Sequence, residues 1–165
     1  MYQMQPAYTA NIVRNFFDDD FALDLRTRLN TETFDTEYCE VTDRQCAQNV
    51  PMLVDIHRSL TDRATTIFGQ QVKSSYVFLS CFSSSGLLPP HVDREQCAFT
   101  IDYCIDQRAP WPLFVDHVAF ELERNDALCF SGTDSIHWRN RISPGNFCHM
   151  ALFHFVPMSF GGSLD

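Results

Sequence analysis

The sequence predicts an α+β fold in which two helices precede an antiparallel sandwich or small barrel. Apolar residues recur at helical spacing in the first half of the chain, whereas from Val72 onward they alternate with a period of two. Turn residues divide the second half into seven or eight short segments. The length of 165 residues suits one domain. We therefore expect a single domain over residues 1–165, with mainly helical support over 1–71 and a β-core over 72–157.

Two helices are predicted in the first half. The first covers about residues 18–30 and begins with three acidic residues, which the positive end of a helix dipole favours. The second covers residues 51–68, where Pro51 suits the first turn and Gly69 can end the helix. Its apolar face consists of Leu53, Ile56, Leu60, Ala64 and Phe68. Residues 31–50 are mostly polar and predict no element.

The second half contains the predicted strands. Their ranges are 75–82, 97–106, 111–115, 118–122, 127–131, 137–142 and 148–156. The segment 97–106 shows the clearest alternation, because its odd-numbered positions are apolar and its even-numbered positions include Thr100 and Asp102. The apolar face of this strand should therefore pack against the rest of the protein.

Charge and composition exclude several classes of function. The chain carries 12 basic and 21 acidic residues, a net charge of −9, and phosphate backbones and anionic lipid surfaces repel such a protein. We therefore expect no nucleic-acid partner and no membrane partner. No apolar run approaches the ~18 residues of a membrane span, and residues 1–6 contain no basic region followed by an apolar stretch. Together with seven cysteines that lack a C-x-x-C spacing, this favours a cytoplasmic protein with reduced thiols.

His91, Asp93 and His137 are the candidate metal ligands. Residues two apart on a strand point the same way, so His91 and Asp93 can reach one ion, and His137 can supply a third ligand from a distant strand. Two imidazoles and one carboxylate on one face bind Fe(II) and leave three positions open, as oxygen activation requires. With six histidines and 21 acidic residues, about one His-x-acid match is expected by chance, so the pair also fits a loop without metal.

Four motifs resemble a known family. They are LSCFSSSGLLPPHVD (Leu79–Asp93), FTIDYCID (Phe99–Asp106), DALCFSG (Asp126–Gly132) followed by His137, and CHMALFHFV (Cys148–Val156) after Gly145. The segment 76–155, about half of the chain, is similar to the core of the 2-oxoglutarate- and Fe(II)-dependent dioxygenases, in particular their small prolyl-hydroxylase-like branch. The resemblance implies a double-stranded β-helix, also described as a jelly-roll or cupin-like fold, with the N-terminal helices supporting it from outside.

The resemblance also implies an activity. It assigns His91, Asp93 and His137 as ligands of Fe(II), with 2-oxoglutarate as co-substrate and O2 as oxidant. The presence of Asp93 implies hydroxylation or a related C–H oxidation, because halogenating relatives lack this carboxylate. A compact chain has few insertions that could grip a large protein, so we expect a small-molecule substrate or an amino-acid-like or peptide-like one.

One position departs from the family pattern. The family binds the distal carboxylate of 2-oxoglutarate with Arg or Lys at the start of the last core strand, and the alignment places His149 there. A neutral imidazole is a weaker partner for a carboxylate than a guanidinium. Three explanations are open: His149 is protonated beside the carboxylate, an arginine enters from elsewhere, or the co-substrate is another compound. Arg139, two residues after His137 and therefore on its face, is the leading replacement, and a solvated strand-end arginine is the equal alternative.

The implied fold also gives the even-numbered face of strand 97–106 a second interpretation. If the apolar face packs on the outer layers, Thr100 and Asp102 line the site, where Asp102 accepts a hydrogen bond from the substrate or pairs with Arg139. The alternative is a half-exposed strand with a solvated carboxylate. His57, on the second helix, is expected to be exposed. Two other functions stay open: an iron oxygenase of the same fold that does not use 2-oxoglutarate, and a cupin-like ligand-binding domain without enzymatic activity.

Overall fold

The computed structural model of the protein describes residues 8–165, which contain three α-helices and eleven strands. The helices are α1 (Asp19–Thr31), α2 (Pro51–Ser59) and α3 (Thr61–Phe68). The strands are β1 (Asn11–Val13), β2 (Glu37–Cys39), β3 (Arg44–Gln48), β4 (Val72–Phe82), β5 (Leu88–His91), β6 (Phe99–Gln107), β7 (Leu113–Val115), β8 (Val118–Phe120), β9 (Ala127–Phe130), β10 (His137–Arg139) and β11 (Cys148–Pro157). The predicted lack of a leader in residues 1–6 lies outside the described residues.

The strands form two antiparallel sheets. The larger sheet has the order β1-β9-β6-β11-β4-β3-β2, and the smaller one has the order β5-β10-β7-β8. The three helices pack on the larger sheet, where α2 and α3 contact β4 and α1 contacts β6. Helices on one face of a sheet and a second sheet on the other make this an α+β fold with a jelly-roll core.

The helices follow the sequence closely, with one difference. Asp18 is the N-cap of α1, and its carboxylate accepts a hydrogen bond from the N–H of Phe21. The predicted helix over 51–68 is two helices, because the N–H of Leu60 bonds to the carbonyls of both Ile56 and His57 and tightens the turn there. Gly69 ends α3 in the left-handed conformation, at a φ of 67°.

Four strands are not predicted from the sequence. Three of them, β1, β2 and β3, have only three to five residues each, and they extend the larger sheet from the part of the chain expected to be mainly helical. The fourth, β5, contains Pro89 and Pro90, which cannot donate to a sheet ladder. The strand forms despite them because β5 is an edge strand of the smaller sheet.

The central strand β11 separates two apolar clusters. On one face, Phe153 and Phe155 pack with helix residues such as Leu53. On the other face, Met150 packs with residues of the smaller sheet such as Leu113. Side chains therefore alternate between the helical layer and the space between the sheets, and the second face is the one that can line a pocket.

Two expectations from composition concern the chain as a whole. All seven cysteines are free thiols. Within residues 8–165, no helix combines the length and the apolar character needed to cross a membrane.

Candidate metal centre and its pocket

The three predicted metal ligands lie together at one end of the space between the sheets. β5 and β10 are neighbouring strands, and their register places His91 directly opposite His137. Asp93 is not on a strand, since β5 ends at His91. Instead, the N–H of Asp93 donates to the carbonyl of Gly132 at 2.8 Å, and this bond holds the carboxylate beside the two imidazoles.

The ligand atoms of the three side chains converge. Asp93 Oδ1 lies 3.3 Å from Nε2 of His91 and 3.4 Å from Nε2 of His137. The Nδ1 atoms face carbonyl oxygens, that of Pro89 at 2.7 Å from His91 and that of Ser135 at 2.9 Å from His137. A carbonyl only accepts, so Nδ1 carries the proton in each ring, and a neutral ring presents its lone pair at Nε2. The structure thus fixes the tautomer that binds a metal through Nε2.

The local charges favour an ionised carboxylate. Burial of Asp93 acts to raise the pKa of its carboxyl, but hydrogen bonds from Nε2 of the imidazolium forms of His137 and His91 outweigh burial and hold the pKa well below its usual range. The hydrogen bond to Asp93 in turn raises the pKa of His91. The opposite directions of these two pKa shifts are those of an acid and a base that stabilise each other's charged forms.

Gly132 leaves the space that Asp93 occupies. A Cβ atom added at this glycine would lie 2.5 Å from Asp93 Oδ2 and 2.3 Å from the carbonyl oxygen of Cys97. Both separations are far shorter than a van der Waals contact, so any side chain here would displace the carboxylate or the backbone behind it. The glycine after β9 is therefore needed for the position of Asp93 in the candidate metal centre.

A second group of polar side chains lies behind the carboxylate. Potential ligand atoms of Asp93, Cys97 and His154 lie within 4.8 Å of one another. The Cys97 thiol is also 3.0 Å from the Tyr76 hydroxyl, and His154 Nδ1 is 3.0 Å from the Thr100 hydroxyl. Thr100, a predicted substrate contact, thus shares the inner face of β6 but bonds to a buried histidine instead of lining the cavity.

A cavity of about 150 Å³ opens beside the triad between the two sheets. Its residues come from both sheets and from the loop after β5. They are Arg44, Tyr76, Phe78, Ser80, Phe82, Leu88, His91, Asp93, Cys97, Asp102, Leu113, Phe130, His137, Arg139, Met150, Leu152 and His154. One end of this pocket is thus formed by the three candidate metal ligands, His91, Asp93 and His137.

Arg139 and Asp102 both face this pocket and pair with each other. Arg139 Nη2 lies 3.3 Å from Asp102 Oδ2, and Nη1 donates to the carbonyl of Trp111. The guanidinium also lies over the Trp111 ring, 4.8 Å from its centroid. Burial raises the pKa of Asp102, and the charge of Arg139 only partly opposes this. Arg139 was interpreted either as a pocket residue or as a solvated arginine at a strand end. The side chain is buried in the structure, with 4% of its surface exposed.

His149 does not line the pocket. It lies on β11 between Cys148 and Met150, whose side chains pack in the cluster between the sheets, so the alternation of the strand turns His149 to the other face. Burial lowers the pKa of this histidine, which opposes the protonated form considered above. The alignment identified the correct strand, but the position that faces the pocket there is Met150.

Arg44 is a pocket residue that the sequence did not reveal. It lies on β3, one of the strands without a recognisable pattern, and Nη1 donates to Ser80 Oγ at 2.9 Å. The one available signal was that Arg44 is the only basic residue between positions 31 and 50. A basic residue that faces the interior next to a long core strand has to meet a polar group there.

No protein-family model matches this sequence, and no curated protein is similar to it at a significant level. Solved structures do match. An oxidoreductase of the 2OG-Fe(II) oxygenase family from Burkholderia pseudomallei has a TM-score of 0.76 at 11% identity, over 93% of this chain and 87% of that one. HygX from Streptomyces hygroscopicus, solved with nickel and 2-oxoglutarate bound, has a TM-score of 0.73 at 9% identity, over 92% of this chain and 84% of that one.

A third match is the viral collagen prolyl hydroxylase vCPH from Paramecium Bursaria Chlorella virus-1, solved as a 2OG complex. It has a TM-score of 0.65 at 9% identity, over 89% of this chain and 96% of that one. Likeness at such identities concerns the fold. The predicted fold class is confirmed: the chain has the double-stranded β-helix fold of these 2-oxoglutarate- and Fe(II)-dependent oxygenases.

Proposed function

We propose that the protein is a non-haem Fe(II) oxygenase that couples 2-oxoglutarate decarboxylation to the hydroxylation, or a related C–H oxidation, of its substrate. The observation that carries the proposal is the convergence of two Nε2 atoms on Asp93 Oδ1 at the end of a pocket. Two neutral imidazoles and one carboxylate are the donor set that non-haem Fe(II) oxygenases use, with open positions left for reactants.

The residues present fit the metal. His91, Asp93 and His137 would hold Fe(II), and the carbonyls of Pro89 and Ser135 fix the two imidazoles in the required tautomer. When bound, Fe(II) together with 2-oxoglutarate and O2 supplies the oxidising power for C–H cleavage, and 2-oxoglutarate leaves as succinate and CO2. The protein itself contributes binding, orientation and exclusion of water.

Arg139 is the residue that we assign to the distal carboxylate of 2-oxoglutarate. It reaches the pocket from β10, two residues from His137, and its guanidinium is held by the Trp111 carbonyl and by Asp102. A carboxylate ligand would meet a buried guanidinium that is already oriented, which reduces the entropy lost on binding. Phe130 and Leu113 contribute apolar surface to the same space.

The cavity suggests the size of the substrate. At about 150 Å³, it would also hold 2-oxoglutarate, so the part of the substrate that enters it is a small molecule or one side chain of a peptide. Among the structures with this fold, HygX was solved with hygromycin B bound and SnoN with nogalamycin RO, while vCPH is a collagen prolyl hydroxylase. We therefore propose a small-molecule or amino-acid-like or peptide-like substrate.

An anaerobic titration tests the assignment. Metal-free protein is titrated with Fe(II) and then with 2-oxoglutarate, and the weak visible charge-transfer band of the chelate is recorded. The band is expected in the wild type and should be lost in His137→Ala, while His117→Ala, at an exposed turn position, should retain it.

Other outcomes identify the alternatives. If iron binds but no band forms at any accessible 2-oxoglutarate concentration, the protein is an iron oxygenase that uses another co-substrate. If iron does not bind, the oxygenase proposal fails and a ligand-binding domain without enzymatic activity takes its place.

A further inference from the structure

Arg44 is a cation inside the pocket without an acidic partner among the described residues. The six ion pairs of residues 8–165 do not include it. Its single hydrogen bond is the one from Nη1 to Ser80 Oγ, at 2.9 Å, and its Nε is buried without a partner. Burial lowers the pKa of this guanidinium, and the charges of Cys46, Cys39, Asp102 and Asp93 oppose that effect only in part.

The rings around Arg44 orient its guanidinium. Its Cζ lies 5.2 Å from the centroid of Phe78 and 5.2 Å from that of Phe82, a distance typical of a cation–π contact. The two rings and the Ser80 hydroxyl hold the planar group in one place, although they provide no negative charge. Such a group is prepared for an anion that the protein does not itself supply.

Arg44 and Arg139 approach the pocket from opposite sheets. Arg44 belongs to the larger sheet: it lies on β3 opposite Phe82 of β4. Its hydrogen-bond partner Ser80, also on β4, lies opposite Met150 of β11. Arg139 belongs to β10 of the smaller sheet and already has Asp102 as a counter-ion. The pocket therefore offers two guanidinium groups, and only one of them is compensated within the described residues.

We propose that Arg44, together with Ser80, binds a carboxylate of the molecule that is oxidised. The proposal rests on the proposed function, in which Arg139 binds the co-substrate, and it narrows the substrate to a carboxylate-bearing small molecule, amino acid derivative or peptide end. One guanidinium matches a monoanion, whereas a phosphate dianion would need further positive charge. A carboxylate also fits the fork of the guanidinium in its plane, and the Ser80 hydroxyl can donate to the same group.

Matched pairs of probes test this inference. The protein is loaded anaerobically with Fe(II) and saturating 2-oxoglutarate, and N-acetyl amino acids are compared with their primary amides across the common side chains. Binding is measured by the perturbation of the charge-transfer band. The acids are expected to bind at least about tenfold more tightly than the amides, because a charge-assisted hydrogen bond replaces a neutral one.

The variants assign that preference to one residue. In Arg44→Gln the ratio of the two affinities should fall to about one, and in Ser80→Ala it should fall partway. Arg141→Gln, an exposed arginine that donates to the Ser85 carbonyl, should keep the ratio of the wild type. Thermal unfolding of each variant shows that it is folded, and Ser80→Ala provides the test if Arg44→Gln is not.

Three results would overturn the inference. They are equal binding of acids and amides in the wild type, a preference that survives in Arg44→Gln, and a loss in Arg44→Gln of the preference for 2-oxoglutarate over 2-oxopentanoate. The last compound lacks the distal carboxylate, so that loss would assign Arg44 to the co-substrate. If no charge-transfer band forms at all, the same pairs are compared by thermal shift on metal-free protein. A preference for acids that disappears in Arg44→Gln then supports the carboxylate site even though the oxygenase assignment has failed.

Discussion

Two buried histidines of this protein show what separates a candidate metal ligand from a core residue. His137 is 4% exposed and His57 is 3% exposed, so burial does not distinguish them. In His137, Nδ1 donates a hydrogen bond to the carbonyl of Ser135, and Nε2 lies beside the Asp93 carboxylate. In His57 the carbonyl of His154 takes Nε2 at 2.8 Å, and the ring packs edge-on against Phe155. The difference lies in which ring nitrogen the backbone occupies and in whether an acid faces the other.

The electrostatics follow the same division. No acidic side chain in residues 8–165 raises the pKa of His57, and burial lowers it to about 4, so the ring is neutral at physiological pH. At the metal end, hydrogen bonds to Asp93 raise the pKa of His91. Burial thus keeps His57, at the helix–sheet interface, in its neutral form. His91 and His137 instead lie beside the Asp93 carboxylate, which favours a positive charge, either a proton or a metal ion.

The largest effect should come from exchanging one histidine for alanine in each region. His137→Ala removes one of three ligands, and we expect Fe(II) affinity to fall at least about 100-fold with little loss of stability. His57→Ala should leave Fe(II) affinity within about twofold and lower the free energy of unfolding by about 2 kcal/mol. Calorimetric titration and chemical denaturation measure the two quantities. Loss of iron binding in His57→Ala would show that the two regions are not separate.

A smaller effect is expected at the glycine that makes room for Asp93. Gly132→Ala should weaken Fe(II) binding by about 10- to 100-fold, because the added methyl group displaces the carboxylate without removing any ligand. Gly161→Ala is the matched control, since a Cβ there meets nothing within 4 Å. Equal affinity of the two variants would mean that the backbone at Gly132 moves away without consequence.

The pH dependence of the free energy of unfolding tests the assignment of His57 as a buried, neutral core residue. The folded state holds the pKa of His57 near 4, below its ordinary value of 6.5, so the unfolded chain binds a proton first as the pH falls. This contribution to stability is complete above pH 6.5 and is lost between pH 6.5 and 4, by about 3 kcal/mol. Denaturant unfolding should show a shallower slope over this range in His57→Gln than in the wild type. His117→Gln should follow the wild type, and a slope unchanged in His57→Gln would contradict the assignment.

The smallest effect concerns Arg139, whose contacts are largely satisfied without a ligand. Arg139→Gln should weaken 2-oxoglutarate binding to the Fe(II) protein by about tenfold, since a charge-assisted contact becomes a neutral one. Titration of the charge-transfer band measures the affinity, and Arg141→Gln should bind as the wild type does. An unchanged affinity in Arg139→Gln would remove this residue from the co-substrate site.

The sequence predicted the elements that carry a strong period. β4, β6 and β11 are nine or more residues long and contain many apolar residues, so their ranges could be predicted, and the alternation of β6 also indicated its two faces. β2 and β3 were not predicted, because strands of three and five mostly polar residues have no period to read. Arg44 was missed for the same reason, since a residue on an unrecognised strand cannot be assigned a face.

Errors about single residues have a different origin. His57 was expected on the surface, but α2 turns it towards β11, where a backbone carbonyl accepts its N–H. His149 was placed in the pocket by alignment, and a shift of one position along β11 puts it on the other face. The direction in which a helix or strand turns a given side chain depends on what that element packs against, so it is set by tertiary structure. The grouping of His91 with Asp93 also assumed strand parity, but β5 ends at His91, and the hydrogen bond from Asp93 N–H to the Gly132 carbonyl brings the carboxylate there instead.

The direct pairing of His91 with His137 has a consequence for how this protein reaches its working form. Both residues lie on strands of three or four residues, and the pairing shifts register just beyond His137. A slip of one residue between β5 and β10 would turn one imidazole away from the other. The site can therefore bind a metal only when the two short strands are paired in the correct register. The rate at which Fe(II) binding appears during refolding would measure how fast β5 and β10 pair.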